Sequence, residues 1–365
     1  MVAKYIQVKE AIKAWILEGR ITPGEKIGSE SDLMGQFNVS RHTIRQAIGE
    51  LVHEDWLYTV QGGGTYCKDR RKSDTHGTMK TKTIGVMTTY ISDYIFPYII
   101  RGIESYTTEN DYSLLLTSTN NNVDLEKKGL QNVMTNNIDG LIVEPTKSTY
   151  HNPNLNYYLN LERNKIPYVM INASYSELAG PSITLNDEKG GFIATEHLIK
   201  LGYTKVLGLF KTDDLQGIDR MKGYIDAHRK HHLLPFPDMV ISFSTEEKGE
   251  KLQEQVRAML TRKKENRPEA IVCYNDETAL SILHVIRKLN MKVPEDLSIV
   301  GFDDSHLTEA SEVQLTSVKH PKTELGRAAA EVLINLIENK NPDAGGSIVF
   351  EPELVIRNST KPASS

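Results

Sequence analysis

The chain has 365 residues, enough for more than one folding unit, and its 39% hydrophobic and 25% charged content is that of an ordinary globular protein. No run of about 18 apolar residues occurs, which argues against a spanning helix. Lys4, Lys9 and Glu10 stand where a secretory signal would need an apolar core. Only two cysteines, Cys67 and Cys273, are present, so no disulfide framework is expected and a reducing, cytoplasmic setting is. The net charge of −5 is uneven: residues 1–72 hold 11 Lys+Arg against 9 Asp+Glu, and the remainder holds 32 against 39. Only the N-terminal part is on the basic side, as expected if it alone meets phosphate.

In chain order, Tyr5, Val8, Ile12 and Ile16 recur at helical spacing, with Gly19 as a stop and Thr22-Pro23-Gly24 as a turn. Ser29 with Asp32 three residues on predicts a capping box, and the short helix behind it supplies Leu33, Met34 and Phe37. Asn38-Val39 then turns the chain into Ser40, a good N-cap. The helix after Ser40 carries Ile44, Ala47, Ile48, Leu51 and Val52 on one face, and Arg41, His42, Thr43, Arg45 and Gln46 on the other. Alone, that segment would equally suit a plain surface helix. Two short helices joined by a tight turn, the second basic at its start, instead predict a helix-turn-helix whose second helix enters a DNA major groove. Residues 56–60 and 65–67 read as two strands joined across Gln61-Gly62-Gly63-Gly64, a turn whose glycines allow positive φ and close approach to a phosphate backbone.

This order closely resembles the winged-helix domain of the GntR family of bacterial regulators. The matching residues are Tyr5, Gln7, Pro23-Gly24, Ser29-Glu30, Val39-Ser40-Arg41, Thr43-Ile44-Arg45, Ala47, and Gln61-Gly62 through Thr65. Ser31 stands where many members carry a DNA-contacting arginine, and Gly63-Gly64 lacks the usual basic wing tip. The resemblance implies double-stranded operator DNA as partner and a DNA-binding set of Lys4, Ser29, Ser40, Arg41, His42, Thr43, Arg45, Gln61, Gly62 and Gly63. In that set Arg41 and Arg45 reach guanine edges or phosphates, with His42 and Thr43 alongside. Gln61 reads from the wing and Lys4 holds a phosphate.

Residues 68–82, KDRRKSDTHGTMKTK, are polar and basic and predict a linker between a domain at 1–67 and another at 83–365. From Thr83 apolar strands alternate with amphipathic helices. Strands are expected at 84–87, 114–116, 140–143 and 168–171, and again at 206–210, 270–273 and 297–301. The intervening helices fall at 97–110, 125–136, 190–201, 220–230 and 277–290. Two successive β-α sets predict an α/β fold of two lobes with parallel sheets flanked by helices, and a ligand at the carboxyl ends of the strands.

Several strings in this part resemble the effector-binding core of the LacI family, itself similar to periplasmic sugar-binding proteins. They are Ile138-Asp139-Gly140-Leu141-Ile142, Asp219-Arg220-Met221-Lys222-Gly223-Tyr224, Asn275-Asp276, and Ser298-Ile299-Val300-Gly301-Phe302-Asp303-Asp304. Sugar hydroxyls need acceptors and a planar bidentate donor, and the sugar's C–H face suits an aromatic ring. By family position Arg220, Asn275 and Asp303 are the expected polar contacts. Glu144 would take a further hydroxyl pair, and Tyr90, Tyr94 or Phe96 the ring face. Each has a structural alternative: Asp276 and Asp304 as helix caps, Arg220 as partner of Asp214 or Asp219, and the aromatics as core or dimer interface.

His228, His231 and His232 lack carboxylate or cysteine partners at ligand spacing, so a polar helix end is expected there and no metal. No catalytic constellation or cofactor motif stands out. The paired resemblances imply a homodimeric repressor of sugar-utilisation genes, released from palindromic operators by a small sugar, with L-arabinose the expected one. An activator, a regulator responding to another sugar or a purine, and an α/β enzyme carrying a DNA-binding module are the rival readings.

Overall fold

Sequence-local signals fix the first seventy residues, and the computed structural model describes residues 2–69, 81–233, 238–338 and 346–363. Most of the expected linker, 70–80, lies outside the described residues. Helix α1 (Lys4–Leu17) turns Val8, Ile12 and Leu17 inward. Helix α2 (Glu30–Phe37) starts at Ser29, whose hydroxyl accepts from the Asp32 amide while the Asp32 carboxylate accepts from the Ser29 amide. Asn38, left-handed at φ 50, ends α2 and leads into α3 (Arg41–His53), which buries Ile44, Ala47 and Leu51. Strands β1 (Leu57–Val60) and β2 (Gly64–Cys67) pair antiparallel as the wing. Gly62 and Gly64 take φ of +75° and +116°, values that a side chain would strain.

The first lobe follows as β3 (Thr83–Thr88), α4 (Phe96–Glu109), β4 (Ser113–Ser118), α5 (Val123–Thr135), β5 (Gly140–Val143), α6 (Leu155–Arg163), β6 (Tyr168–Ile171) and β7 (Ser182–Leu185). Strands β5 and β6 are buried along their whole length, as sheet covered on both faces requires. The chain then crosses to the second lobe. There it forms α7 (Asp187–Lys200), β8 (Val206–Lys211), α8 (Leu215–Lys230), β9 (Val240–Phe243), α9 (Glu250–Leu260), β10 (Ala270–Cys273), α10 (Asp276–Lys288), β11 (Ser298–Asp303), α11 (Leu307–Ala310) and β12 (Thr316–Lys319).

The two lobes are not two successive stretches of chain. Helix α12 (Lys322–Glu338) returns to pack on α4 and on strands β5–β7. Strand β13 (Ile348–Phe350) extends the first sheet, whose order is β13-β7-β6-β5-β3-β4. A third crossing places β14 (Glu353–Val355) antiparallel to β12 in the second sheet, ordered β14-β12-β11-β10-β8-β9. Every other pairing in these sheets is parallel, so the β14 edge is where the all-parallel expectation fails. Parallel strands end on one side of each lobe, and those ends face the cleft. No helix among the described residues is long and apolar enough to cross a membrane.

Candidate functional site

The outer face of α3 is the first site. Arg41, His42 and Arg45 are exposed there, with Lys4 exposed at the start of α1 and Gln61 and Gly62 at the wing tip; Gly63 is half-buried. Thr43 and Ser40 engage each other: their hydroxyls lie 3.0 Å apart and the Thr43 amide donates to Ser40 Oγ. Ser29 is likewise committed to its capping box. Sequence reasoning matched Glu30 to the GntR pattern but gave it no role. Glu30 Oε1 accepts from Arg45 Nε at 2.8 Å, and Oε2 lies 3.4 Å from Arg41 Nε. The bond from Arg45 holds the Glu30 carboxyl below its ordinary range, and the two guanidiniums stay 57% and 65% exposed, side by side. One carboxylate thus holds both arginines beside each other on an exposed face.

The second site is a cavity of about 170 Å³ between the lobes, and all seven residues expected to meet an effector line it: Tyr90, Tyr94, Phe96, Glu144, Arg220, Asn275 and Asp303. Their partners differ from expectation. Arg220, 3% exposed, donates through Nε to Asp187 Oδ1 at 2.8 Å and through Nη1 to the Tyr274 carbonyl at 2.6 Å. Its Nη2 lies 3.5 Å from Asp303 Oδ1, and the guanidinium sits 3.5 Å from the centre of the Phe302 ring. The structural partner is therefore Asp187 rather than Asp214 or Asp219. Asp214 instead caps α8 and pairs with Lys211.

Asn275, not Asp276, caps α10. Its Oδ1 accepts from the Thr278 amide and hydroxyl, which leaves Nδ2 as its available donor. Asp276 accepts from Ser317 Oγ and the Ser305 amide. Burial, with the nearby Asp303, pushes its carboxyl up to about 7. Asp304 is no helix cap either, since it pairs with Arg357 at 2.7 Å. Glu144 accepts from the Thr89 amide and hydroxyl on one oxygen and from Asn172 Nδ2 on the other, bonds that counter the upward push of burial.

Tyr94 does more than offer a ring. From the first lobe its hydroxyl donates to Asp303 Oδ2 of the second at 2.8 Å and accepts from the Asp276 amide at 3.1 Å. Tyr90 and Phe96 form a tilted aromatic pair with centroids 5.6 Å apart. Sequence reasoning missed Lys211, Tyr274 and Asn172, which also line the cavity. Lys211 is pushed down by burial but raised overall by Asp214 and Asp213, so it adds a charged donor to the wall.

Asp303 Oδ1 is buried and accepts no hydrogen bond among the described residues. Arg220 Nη2 balances its charge from 3.5 Å without bonding it, so this oxygen keeps hydrogen-bonding capacity for a group that enters the cavity. The histidines of α8 offer no rival site: His228 is buried against the Tyr224 ring rather than at a polar end, and His231 pairs with Glu196. Among the described residues no group of three or more His, Cys, Asp or Glu could hold a metal.

The family model of the bacterial regulatory proteins, gntR family, matches residues 4–67, and that of the periplasmic binding protein-like domain matches residues 195–360. The chain is 51% identical over 358 residues to the arabinose metabolism transcriptional repressor of Geobacillus stearothermophilus, covering 98% of each. The chain belongs to the arabinose metabolism transcriptional repressors. The member from Halalkalibacterium halodurans is 50% identical, covering 100% of this chain and 98% of its own. Among solved structures, the transcription regulator CcpA of Lactococcus lactis superposes with a TM-score of 0.66 at 24% identity, over 76% of this chain and 99% of its own. A LacI family regulator from Enterococcus faecium with bound ribose gives 0.64 at 22%, over 77% and 100%. At those identities the solved structures share the fold of the two-lobed core. Membership of this family makes the chain a transcriptional repressor with a gntR-type DNA-binding domain, and the enzyme reading gives way.

Proposed function

We propose that the repressor acts as a homodimer on palindromic operator DNA and leaves it when L-arabinose occupies the cleft. Asp303 Oδ1, buried and without a hydrogen-bond donor among the described residues although Arg220 Nη2 stands 3.5 Å away, carries the effector reading. A sugar hydroxyl can donate to it while accepting from Arg220 Nη2 beside it or from Asn275 Nδ2, which lines the same cavity. Tyr90 and Phe96 supply an apolar wall. The cavity lies below the roughly 300–1,000 Å³ of drug-sized pockets, which suits a monosaccharide. The arabinose metabolism named for the relatives supports a pentose as that sugar. On the DNA side Arg41 and Arg45 transfer from Glu30 to base edges or phosphates, His42 and Thr43 flank them, Gln61 and the wing glycines meet the backbone, and Lys4 holds a phosphate.

Release is a population shift. Sugar stabilises one arrangement of the lobes, and DNA affinity falls only as far as that arrangement is the weaker binder. Because coupling is reciprocal, operator DNA must weaken L-arabinose binding by the same factor, about 5–150-fold for typical allosteric coupling. Calorimetric titration of L-arabinose with and without operator reads this directly. Equal sugar affinities in the two titrations would sink the proposal.

A further inference from the structure

The C-terminal end of α1 lies against α5 and α6 of the first lobe. Asn160 Nδ2 donates to the Leu17 carbonyl at 2.7 Å and to the Ile16 carbonyl at 3.2 Å, in the last turn of α1 where helix carbonyls lack intrahelical partners. One residue on, the Glu18 carboxylate accepts from the Tyr157 hydroxyl and from Lys127 Nζ, both at 3.1 Å, and Gln131 donates to the Tyr157 oxygen. Leu17 and Tyr157 are buried in one apolar cluster that runs from Ile12 of the winged helix to Leu161 of the first lobe. Arg41, Arg45 and Gln61 remain exposed, so this contact orients the DNA-reading face without covering it.

The same helix, α6, is tied to the cleft. Glu144 lines the cavity, and residues 146–154 follow it in the chain. The Thr146 amide donates to the Tyr175 oxygen, and the Tyr175 hydroxyl donates to Glu126 at 2.7 Å. Glu126 is fully buried and also accepts from Asn152, Asn154 and Tyr158 of α6. On its other side the segment holds the second lobe: Thr149 Oγ1 donates to the Thr212 carbonyl, the Leu215 amide donates to Ser148 Oγ, and Lys147 pairs with Glu246. Movement of the second lobe therefore pulls on a segment knotted through Glu126 to the helix that grips α1.

We propose that the α5–α6 face is a docking site for the winged helix, that the docked pose is the operator-binding one, and that sugar-driven rearrangement of the lobes loosens it. The loosening step rests on the effector reading given above; the docking does not. It binds each reader in a set direction on the core, which a flexible tether alone could not do.

A Gly19→Cys/Asn160→Cys variant of the full chain tests it. An ideal Cβ at Gly19 lies 3.7 Å from Asn160 Cβ, inside the range of about 3.5–4.5 Å for disulfides. Both native cysteines are buried and do not compete. Under mild oxidation the intrachain crosslink is expected in sugar-free protein, read by peptide mass spectrometry. Saturating L-arabinose should slow it about tenfold, a typical coupling. The locked protein should bind operator and no longer release it with sugar. The Glu18 bonds and the Leu17–Tyr157 apolar contact survive the Asn160 substitution, so no crosslink without sugar, or a locked protein unable to bind operator, overturns the docking proposal. A crosslink rate indifferent to bound L-arabinose overturns the loosening step.

Gly19 sits at φ +73°, where a cysteine is strained, so a second variant leaves the backbone alone. Glu18→Gln/Tyr157→Phe should weaken operator binding about fivefold, at the low end of such coupling. Sugar binding, followed by thermal shift, should be kept or tightened by no more than the factor lost on the operator side, since neither residue lines the cavity and sugar opposes docking. Unchanged operator affinity in this variant also overturns the proposal. Failure of L-arabinose to bind the wild-type chain at all counts against the effector reading, while the sugar-free crosslink still decides the docking.

Discussion

Arg45 of the recognition helix and Arg220 of the cleft carry the same guanidinium into opposite surroundings. Arg45 is mostly exposed, with one carboxylate holding it forward, and its removal leaves only the partly exposed Glu30 behind. Arg220 is sealed between Asp187, Asp303 and the Phe302 ring, and its removal would strand two buried carboxylates. One arginine is a contact offered to a partner; the other is first the counter-ion that lets acidic groups exist inside a cleft. The contrast implies that substitutions should separate stability from binding cleanly.

The largest effect is expected at Arg220. Arg220→Met should destabilise the core by about 3–5 kcal/mol, as breaking a buried ion pair from one side does. Urea denaturation of the full chain reads it, and a loss below about 1 kcal/mol would place this pair with ordinary surface pairs. Arg45→Ala should leave the denaturation midpoint where it was while weakening operator binding by about 1–3 kcal/mol and relaxing preference at one base position. Fluorescence anisotropy across operator variants tests both parts. A uniform loss across all sequences would make Arg45 a phosphate contact instead.

The third effect is a pH dependence at the cleft's hinge. His320 is buried, its Nε2 lies 3.2 Å from Asn172 Oδ1, and burial, helped by Lys322 and Arg220, pushes its ring down to about 3. The unfolded chain takes up a proton at this ring near pH 6.5 while the folded chain does not. The stability it contributes is full above that pH and is lost as pH falls toward 3, about 2 kcal/mol by pH 5. The gap in melting temperature between pH 7 and pH 5 should therefore narrow in His320→Asn. An unchanged gap would mean that the ring is already protonated in the fold.

How much of this was legible in the sequence follows from the range of each interaction. The winged helix was readable almost residue by residue, because caps, turn glycines and a 3.6-residue period act within a few positions of one another. The cleft residues were readable as a set, since a parallel sheet delivers its strand ends to one side whatever the details. Their bonds were not. Arg220 meets Asp187 from another helix, and Tyr94 meets Asp303 across the whole core; neither pairing leaves a period or a motif. The discontinuous lobes were equally hidden, since β13 and β14 are three residues each and only their neighbours in space make them strands. Helix α6 passed unnoticed for the same reason, although it joins the cleft to the DNA reader.

The three crossings between the lobes have a mechanical consequence. A single strap would let the halves swivel and twist freely, whereas three side by side behave like the knuckles of a door. They leave one swing and forbid most others. One of these straps runs from β12 into α12 through His320, so the swing is guided beside the cavity that is proposed to drive it. A small ligand then needs to select only one coordinate, and everything bolted to either leaf must follow the same arc.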